Sequence, residues 1–172
     1  MNHHDLIPII TRLEENNISY SLGGSGLLYS LRLIDTVNDW DITIECPKEK
    51  LLEAINEFDW VEGRSGDYPF ASQYRINLPS INVEFIGYFA FHTEKGIFHL
   101  PMKNVGKWDN INLSSPEIWY VAYSLMKRQR KAELILEYLR NNVEKVNSDI
   151  LRELLNKTEL SEEIKQNLSQ LI

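Results

Sequence analysis

Asp39-Trp40-Asp41 sets two carboxylates two residues apart, inside a stretch from Asp39 to Glu45 that alternates polar and apolar side chains. Alternation with period two predicts a strand with one polar face, so both carboxylates project together while Trp40 and Ile42 enter the core. Two carboxylates this close repel each other unless a cation lies between them. An oxygen-only pair suits Mg²⁺ or Mn²⁺ more than zinc. Magnesium held by one or two carboxylates is usually completed by substrate phosphates, so a phosphate cradle is expected nearby.

Gly23-Gly24-Ser25, between a strand-like stretch and an apolar helical repeat, is the candidate cradle. Glycines there let the backbone approach a ligand, the following helix offers free amides to an anion, and Ser25 adds a hydroxyl donor. A third carboxylate is expected if the site does more than bind, and Glu84 is the only charge in Asn82-Val83-Glu84-Phe85-Ile86. With Pro79-Ser80 as a tight turn, Leu78 pairs with Ile81 and Arg75 falls opposite Glu84, where it would neutralise a carboxylate or meet a phosphate. Lys127, Arg128, Arg130 and Lys131 form the one dense basic cluster. At helical spacing Lys127 and Lys131 share a face, either to meet phosphates or as a solvated helix end.

Elements must hold these groups in place. Asp5 to Asn16 carries Leu6, Ile9, Ile10 and Leu13 at helical spacing with Pro8 in the first turn, which predicts a first helix. Ile18 to Leu22 predicts a short strand, and Leu27, Leu28 and Leu31 a helix after the glycines. Pro47 to Phe58 reads as a helix on the back of the sheet. Phe70 to Leu78, Ile81 to Phe91 and Ile97 to Leu100 read as antiparallel β-stretches. Ser114-Ser115-Pro116-Glu117 is a helix start, a Ser cap followed by an early Pro and Glu. Helical spacing then continues in pieces to Ile172. The fold class expected is α/β (α+β): a mixed β-sheet core with helices on one face at 1–112, then a helical C-terminal unit at 113–172.

The chain of 172 residues is 43% hydrophobic and 25% charged, with a formal net charge of -7. That composition excludes disordered and fibrous classes. A single Cys46 makes no internal disulfide, and no run reaches the roughly 18 apolar residues of a membrane helix. Met1 to Asp5 lacks a basic region followed by an apolar stretch, so no secretion signal is expected and the expected location is cytoplasmic. Residues 1–112 hold 9 Lys+Arg against 16 Asp+Glu, and residues 113–172 hold 9 of each. The whole excess therefore lies with the candidate carboxylates, where one or two divalent cations would offset it. It argues against unassisted nucleic-acid binding without excluding nucleic acid as a substrate.

Gly24-Ser25, thirteen intervening residues, Asp39-Trp40-Asp41-Ile42 and a lone later acid, Glu84, resemble the signature of the nucleotidyltransferase superfamily that shares the polymerase-β palm fold. Ser115-Pro116-Glu117 and the helix leading to Lys127–Lys131 resemble the helical region of small antibiotic and other minimal nucleotidyltransferases. Many relatives carry Arg-x-Lys-Asp there, where Lys131-Ala132-Glu133 stands here. The resemblance implies transfer of a nucleoside monophosphate from an NTP, such as ATP, to a hydroxyl on a small molecule such as an antibiotic, or on RNA or protein. Asp39 and Asp41 would hold Mg²⁺, and Glu84 would ligate metal or take the acceptor's proton. Gly23, Gly24, Ser25, Arg75, Lys127, Arg130 and Lys131 would meet the nucleotide. Alternatives are an inactive nucleotide-binding or regulatory domain of the same fold, or a toxin-antitoxin module needing a partner.

Asp39-Trp40-Asp41-Ile42-Thr43 also satisfies the Asp-x-Asp-x-Thr motif of haloacid-dehalogenase-like phosphatases, but Asp35-Thr36-Val37-Asn38 is not the buried apolar strand that family places before it. Ser25 has no His at readable spacing to activate it as a nucleophile. His3 and His4 are expected in a disordered terminus rather than on a metal. His92 and His99 are expected on turns or strand surfaces, and Trp108 in a polar loop that could line a pocket.

Overall fold

The computed structural model describes residues 2–172. Helix α1 (Ile7–Glu15) leads to β1 (Tyr20–Leu22), α2 (Gly24–Ser30), β2 (Trp40–Ile44), α3 (Lys48–Ala54), β3 (Val61–Gly63), β4 (Tyr74–Leu78) and β5 (Val83–Gly87). A hairpin, β6 (Ala90–Thr93) and β7 (Gly96–His99), follows, then β8 (Asn104–Trp108) and β9 (Ile111–Ser114). Helices α4 (Pro116–Leu125), α5 (Gln129–Asn141), α6 (Ser148–Leu155) and α7 (Glu162–Ser169) complete the chain.

Seven strands form one mixed sheet in the order β3-β4-β5-β2-β1-β9-β8, and β6-β7 stands as a separate two-stranded sheet. Strand β2 runs parallel to β5 and antiparallel to β1, while β9 joins β1 in parallel. The fold is α/β. Trp40, Ile42 and Ile44 are all fully buried with Phe85, Ile9, Leu13 and Leu51, which packs α1 and α3 on one face. Each such side chain contributes on the order of 2 kcal/mol on burial. A one-residue slip of β2 would drive Asp41 into that apolar layer, so the core fixes which face the carboxylate takes. Ile86, Phe89, Phe91 and Phe98 cover the other face with Ile118, Val121, Ile135 and Leu151. The β6-β7 hairpin and the C-terminal helices thus form the second layer.

Several expectations are corrected. The turn after β4 is longer than Pro79-Ser80: Leu78 pairs with Val83, and Asn82 takes φ 52. Asn77 is therefore opposite Glu84 and Arg75 opposite Ile86. The stretch 81–91 is two strands in different sheets, because the chain turns at Tyr88, φ 53. Of 70–78 only Tyr74–Leu78 joins the sheet, with Phe70 making a single bridge to Phe91. The helix expected over 47–58 stops at Ala54. Strands β3, β8 and β9 were not expected; β3 and β8 are mostly exposed edges with no alternation to betray them.

The helix start at Ser115 is as expected, with Ser115 Oγ accepting from the Ile118 amide at 3.3 Å and Pro116 in the first turn. Glu117 does something else. It is buried, accepts from Ser115 Oγ, and accepts from the Asn147 amide at 2.7 Å, which ties α4 to the loop before α6. Glu117→Ala strands that amide and should lower the unfolding free energy by about 2–4 kcal/mol. Urea midpoints would show it, with Glu117→Gln, which still accepts, losing less than half as much.

Candidate active site

The two sheet carboxylates are brought together by register rather than by sequence. In the parallel β2-β5 pair Asp41 stands directly beside Glu84. Adjacent strands lie about 4.8 Å apart and register partners share a face, so both side chains leave the sheet on the side away from Trp40. Asp39 lies one residue before β2, exposed, and is held by Ser25, whose Oγ donates to the Asp39 carbonyl at 2.9 Å and reaches its Oδ1 at 3.4 Å.

The glycine turn is the floor of this arrangement. Gly23 N–H donates to the Asp41 carbonyl at 2.9 Å, and a Cβ on Gly23 would strike the Trp119 indole. Gly24 has φ +54, and a Cβ there would overlap the Asp41 carboxylate. Gly23, Gly24 and Ser25 are all buried. Their small size serves first to let Asp41 and Trp119 close over the turn.

A cleft of about 130 Å³ opens above, with Asp39, Asp41, Glu84 and Arg75 on the sheet side and Trp119, Tyr123, Met126 and Arg128 on the helix side. Arg75 reaches Glu84 diagonally, Nη1 to Oε1 at 3.4 Å, and its guanidinium lies 4.4 Å over the Phe70 ring. Burial pushes Asp41 up to about 7, with the Asp39 and Glu84 charges adding to it and Arg128 and Lys131 opposing. Burial also raises Glu84, while Arg75 pulls it back. The Tyr123 hydroxyl is raised by burial and then by Asp41, and it has no hydrogen-bond partner among the described residues.

The basic cluster does not form one helical face. Lys127, φ 56, and Arg128 follow the end of α4, whereas Arg130 and Lys131 begin α5. Cations in the first turn of a helix oppose its dipole, so the cluster is not the solvated C-terminal end that its composition suggests. Arg128 lines the cleft, and Lys131 lies 5.3 Å from the Tyr123 ring and is close enough to bias Asp41. Lys127 and Arg130 are exposed and outside the cleft lining. Tyr123 and Trp119, four residues apart on α4, are cleft groups that sequence reasoning missed; their spacing put them on one face without saying what that face met.

The donor set, three carboxylates with no nitrogen or sulfur, fits a hard divalent cation. It is not drawn tight. Among the described residues, the one group of three metal-ligating side chains with donor atoms all within 4.8 Å of one another is His3, His4 and Asp109. Those two histidines are ordered, contrary to expectation: they lie in a 3₁₀ turn, His3–Leu6, pinned by the fully buried Leu6. Trp108 lies in β8 beside His3, rather than in a loop. Among the described residues no helix is long and apolar enough to cross a membrane.

No family model matches the sequence, and no curated protein matches it. Solved structures do. A candidate nucleotidyltransferase from Thermotoga maritima superposes with a TM-score of 0.58 at 20% identity, over 82% of this chain and 96% of that one. The antibiotic-resistance factor ANT(2'')-Ia, in its solution structure, gives 0.58 at 14% identity over 90% and 92%. ANT(2'')-Ia in complex with adenylyl-2''-tobramycin gives 0.52 at 10% identity over 95% and 92%.

Proposed function

From the nucleotidyltransferase fold that these likenesses show, we propose that the chain transfers a nucleoside monophosphate from an NTP to a hydroxyl acceptor. The observation that carries this is the Asp41-Glu84 register, which sets two carboxylates side by side under Asp39 and opposite Arg128 in one cleft. Asp39 and Asp41, with Glu84 beside them, would hold Mg²⁺ or Mn²⁺. Such an ion, when bound, neutralises the triphosphate and polarises the reacting phosphorus.

The chain's own residues supply the rest. Arg128 and Lys131 attract the phosphates from the helix side, and Ser25 with the Gly23-Gly24 backbone holds Asp39 and Asp41 in place from the floor. Glu84 spends Oε1 on Arg75 and keeps Oε2 for the acceptor hydroxyl's proton, and burial raises its affinity for that proton while Arg75 opposes the rise. The acceptor oxygen bonds the α-phosphorus, the bond to the β-phosphate oxygen breaks, and pyrophosphate leaves. Residues 1–112 would form the catalytic core and 113–172 the opposing wall. The acidic excess of the core favours a cationic, hydroxyl-bearing small molecule as acceptor.

Incubation with each labelled NTP, Mg²⁺ and a panel of aminoglycosides, lincosamides, tRNA and protein should yield pyrophosphate and one labelled product. Nucleotide binding without pyrophosphate release from any acceptor would favour a regulatory domain, and absence of nucleotide binding would overturn both. Arg128→Ala should raise the NTP KM about tenfold or more, the worth of one charge-assisted hydrogen bond to phosphate. Lys127→Ala should change KM less than about twofold, since an exposed cation outside the cleft contributes little.

A further inference from the structure

The chemistry of the cleft leaves His3, His4 and Asp109 unused. These residues lie beyond the opposite face of the sheet: Trp108, 4.2 Å from the His3 ring, is itself 6.4 Å from Trp40, which points away from Asp41. His3 Nε2 lies 2.7 Å from Asp109 Oδ2, and the His3 and His4 rings are 4.3 Å apart. Both supports are firm. The histidine turn is capped by Asn2, whose side chain accepts from the His4 amide at 3.0 Å, and its Leu6 is fully buried. Asp109 opens the two-residue Asp109-Asn110 turn between β8 and β9, and both take positive φ, 45 and 66, as a type I′ hairpin turn requires. Two neighbouring imidazoles on a short turn need not converge on a carboxylate from the far end of the sheet. Here the donor atoms of all three lie within 4.8 Å of one another.

We propose that His3, His4 and Asp109 bind a divalent transition-metal ion, Zn²⁺ by preference, which clasps the first turn of the chain to the β8-β9 turn. Two imidazole nitrogens and one carboxylate oxygen are a borderline set that suits Zn²⁺, Co²⁺ or Ni²⁺, whereas Mg²⁺ and Ca²⁺ seek oxygen alone. Three protein ligands leave a fourth position for water. The His3-Asp109 hydrogen bond holds two of the ligands close before the ion arrives, so little ordering remains to be done on binding.

Chelator-stripped, full-length chain would be titrated with ZnCl₂ in excess Mg²⁺, which occupies the carboxylate cleft, and with Co²⁺ as a spectroscopic probe. One ion per chain is expected, with the visible absorption of a low-coordinate, nitrogen-bound Co²⁺ and a Zn²⁺-dependent rise in Tm that EDTA reverses. Asp109→Asn, which keeps the hydrogen bond and the turn, and His4→Ala, at an exposed position, should each weaken Zn²⁺ about tenfold or more and fold as the parent does. Unchanged Zn²⁺ affinity in both variants, an all-oxygen octahedral Co²⁺ spectrum, or no binding at millimolar Zn²⁺ would each overturn the assignment. The result does not depend on whether the cleft is catalytic.

Discussion

Asp41→Asn should make the cation-free chain more stable while cutting nucleotide transfer by at least about a thousandfold, the worth of several kcal/mol of transition-state charge stabilisation. The two effects have one cause. Asp41 is half-buried against Gly24, faces the Asp39 and Glu84 charges, and among the described residues has no hydrogen-bond donor on its carboxylate. Its proton is held up to about 7, against 3.8 for the ordinary group. Between those values the unfolded chain has released a proton that the folded chain retains, so stability falls as pH rises from about 4 to 7 and stays low above. A neutral amide of the same shape escapes this. Partial exposure reduces the gain to about 1–3 kcal/mol at pH 8, or roughly 3–10 °C in Tm for a chain of this size. It should vanish near pH 4. Thermal denaturation with EDTA at pH 4, 7 and 8 would test it, and an Asn variant less stable than the parent at pH 8 would refute it. Mg²⁺ should then raise Tm in the parent and not in the variant.

Gly24→Ala should act in the opposite direction on stability and the same direction on turnover. At φ +54 an alanine costs about 1–2 kcal/mol by itself. The added methyl would also strike Oδ2, Cγ and Cβ of Asp41, so rotating the side chain does not clear it and β2 or the start of α2 must shift. Displacement of about 1 Å at a reacting group costs on the order of a hundredfold in rate. Tm should drop by several degrees and kcat by about a hundredfold. Gly66→Ala is the control: its φ is +85, but nothing lies within 4 Å of a Cβ there, so it should show the modest stability loss with unchanged kcat.

The contrast between Gly24 and Gly66 shows what was legible beforehand. The acidic pair, the glycine turn and Glu84 stand out because alternation and composition mark them locally, and the sheet sets all three carboxylates in one cleft. The purpose of the glycines was not legible. Small size was read as room for a ligand, and the room is taken by Asp41 and Trp119, which arrive from elsewhere in the chain. Arg75 reaches Glu84 by a diagonal rather than across the register, since two further loop residues, Ile81 and Asn82, with Asn82 at positive φ, reset every pair that follows. Arg128 was hidden inside a basic cluster whose members look alike until the break between α4 and α5 sends Arg128 to the cleft and Lys127 to solvent. Tyr123 looks like core in sequence. Only the cleft shows that its hydroxyl faces Asp41.

The central position of β1, between β2 and β9, has a consequence for the order of assembly. Leu22 is paired in parallel with Leu113, so one edge of β1 stays open until the chain is made through β9. At roughly 5–20 residues per second that delay is on the order of ten seconds on a ribosome. Over that interval the glycine turn lacks its roof, because Trp119 follows β9 in the chain. Pairings this distant in sequence also form slowly in isolation. The cleft carboxylates are therefore synthesised early and enclosed late, and a nascent chain halted before β9 would hold every acid of the cleft without the wall that makes them one.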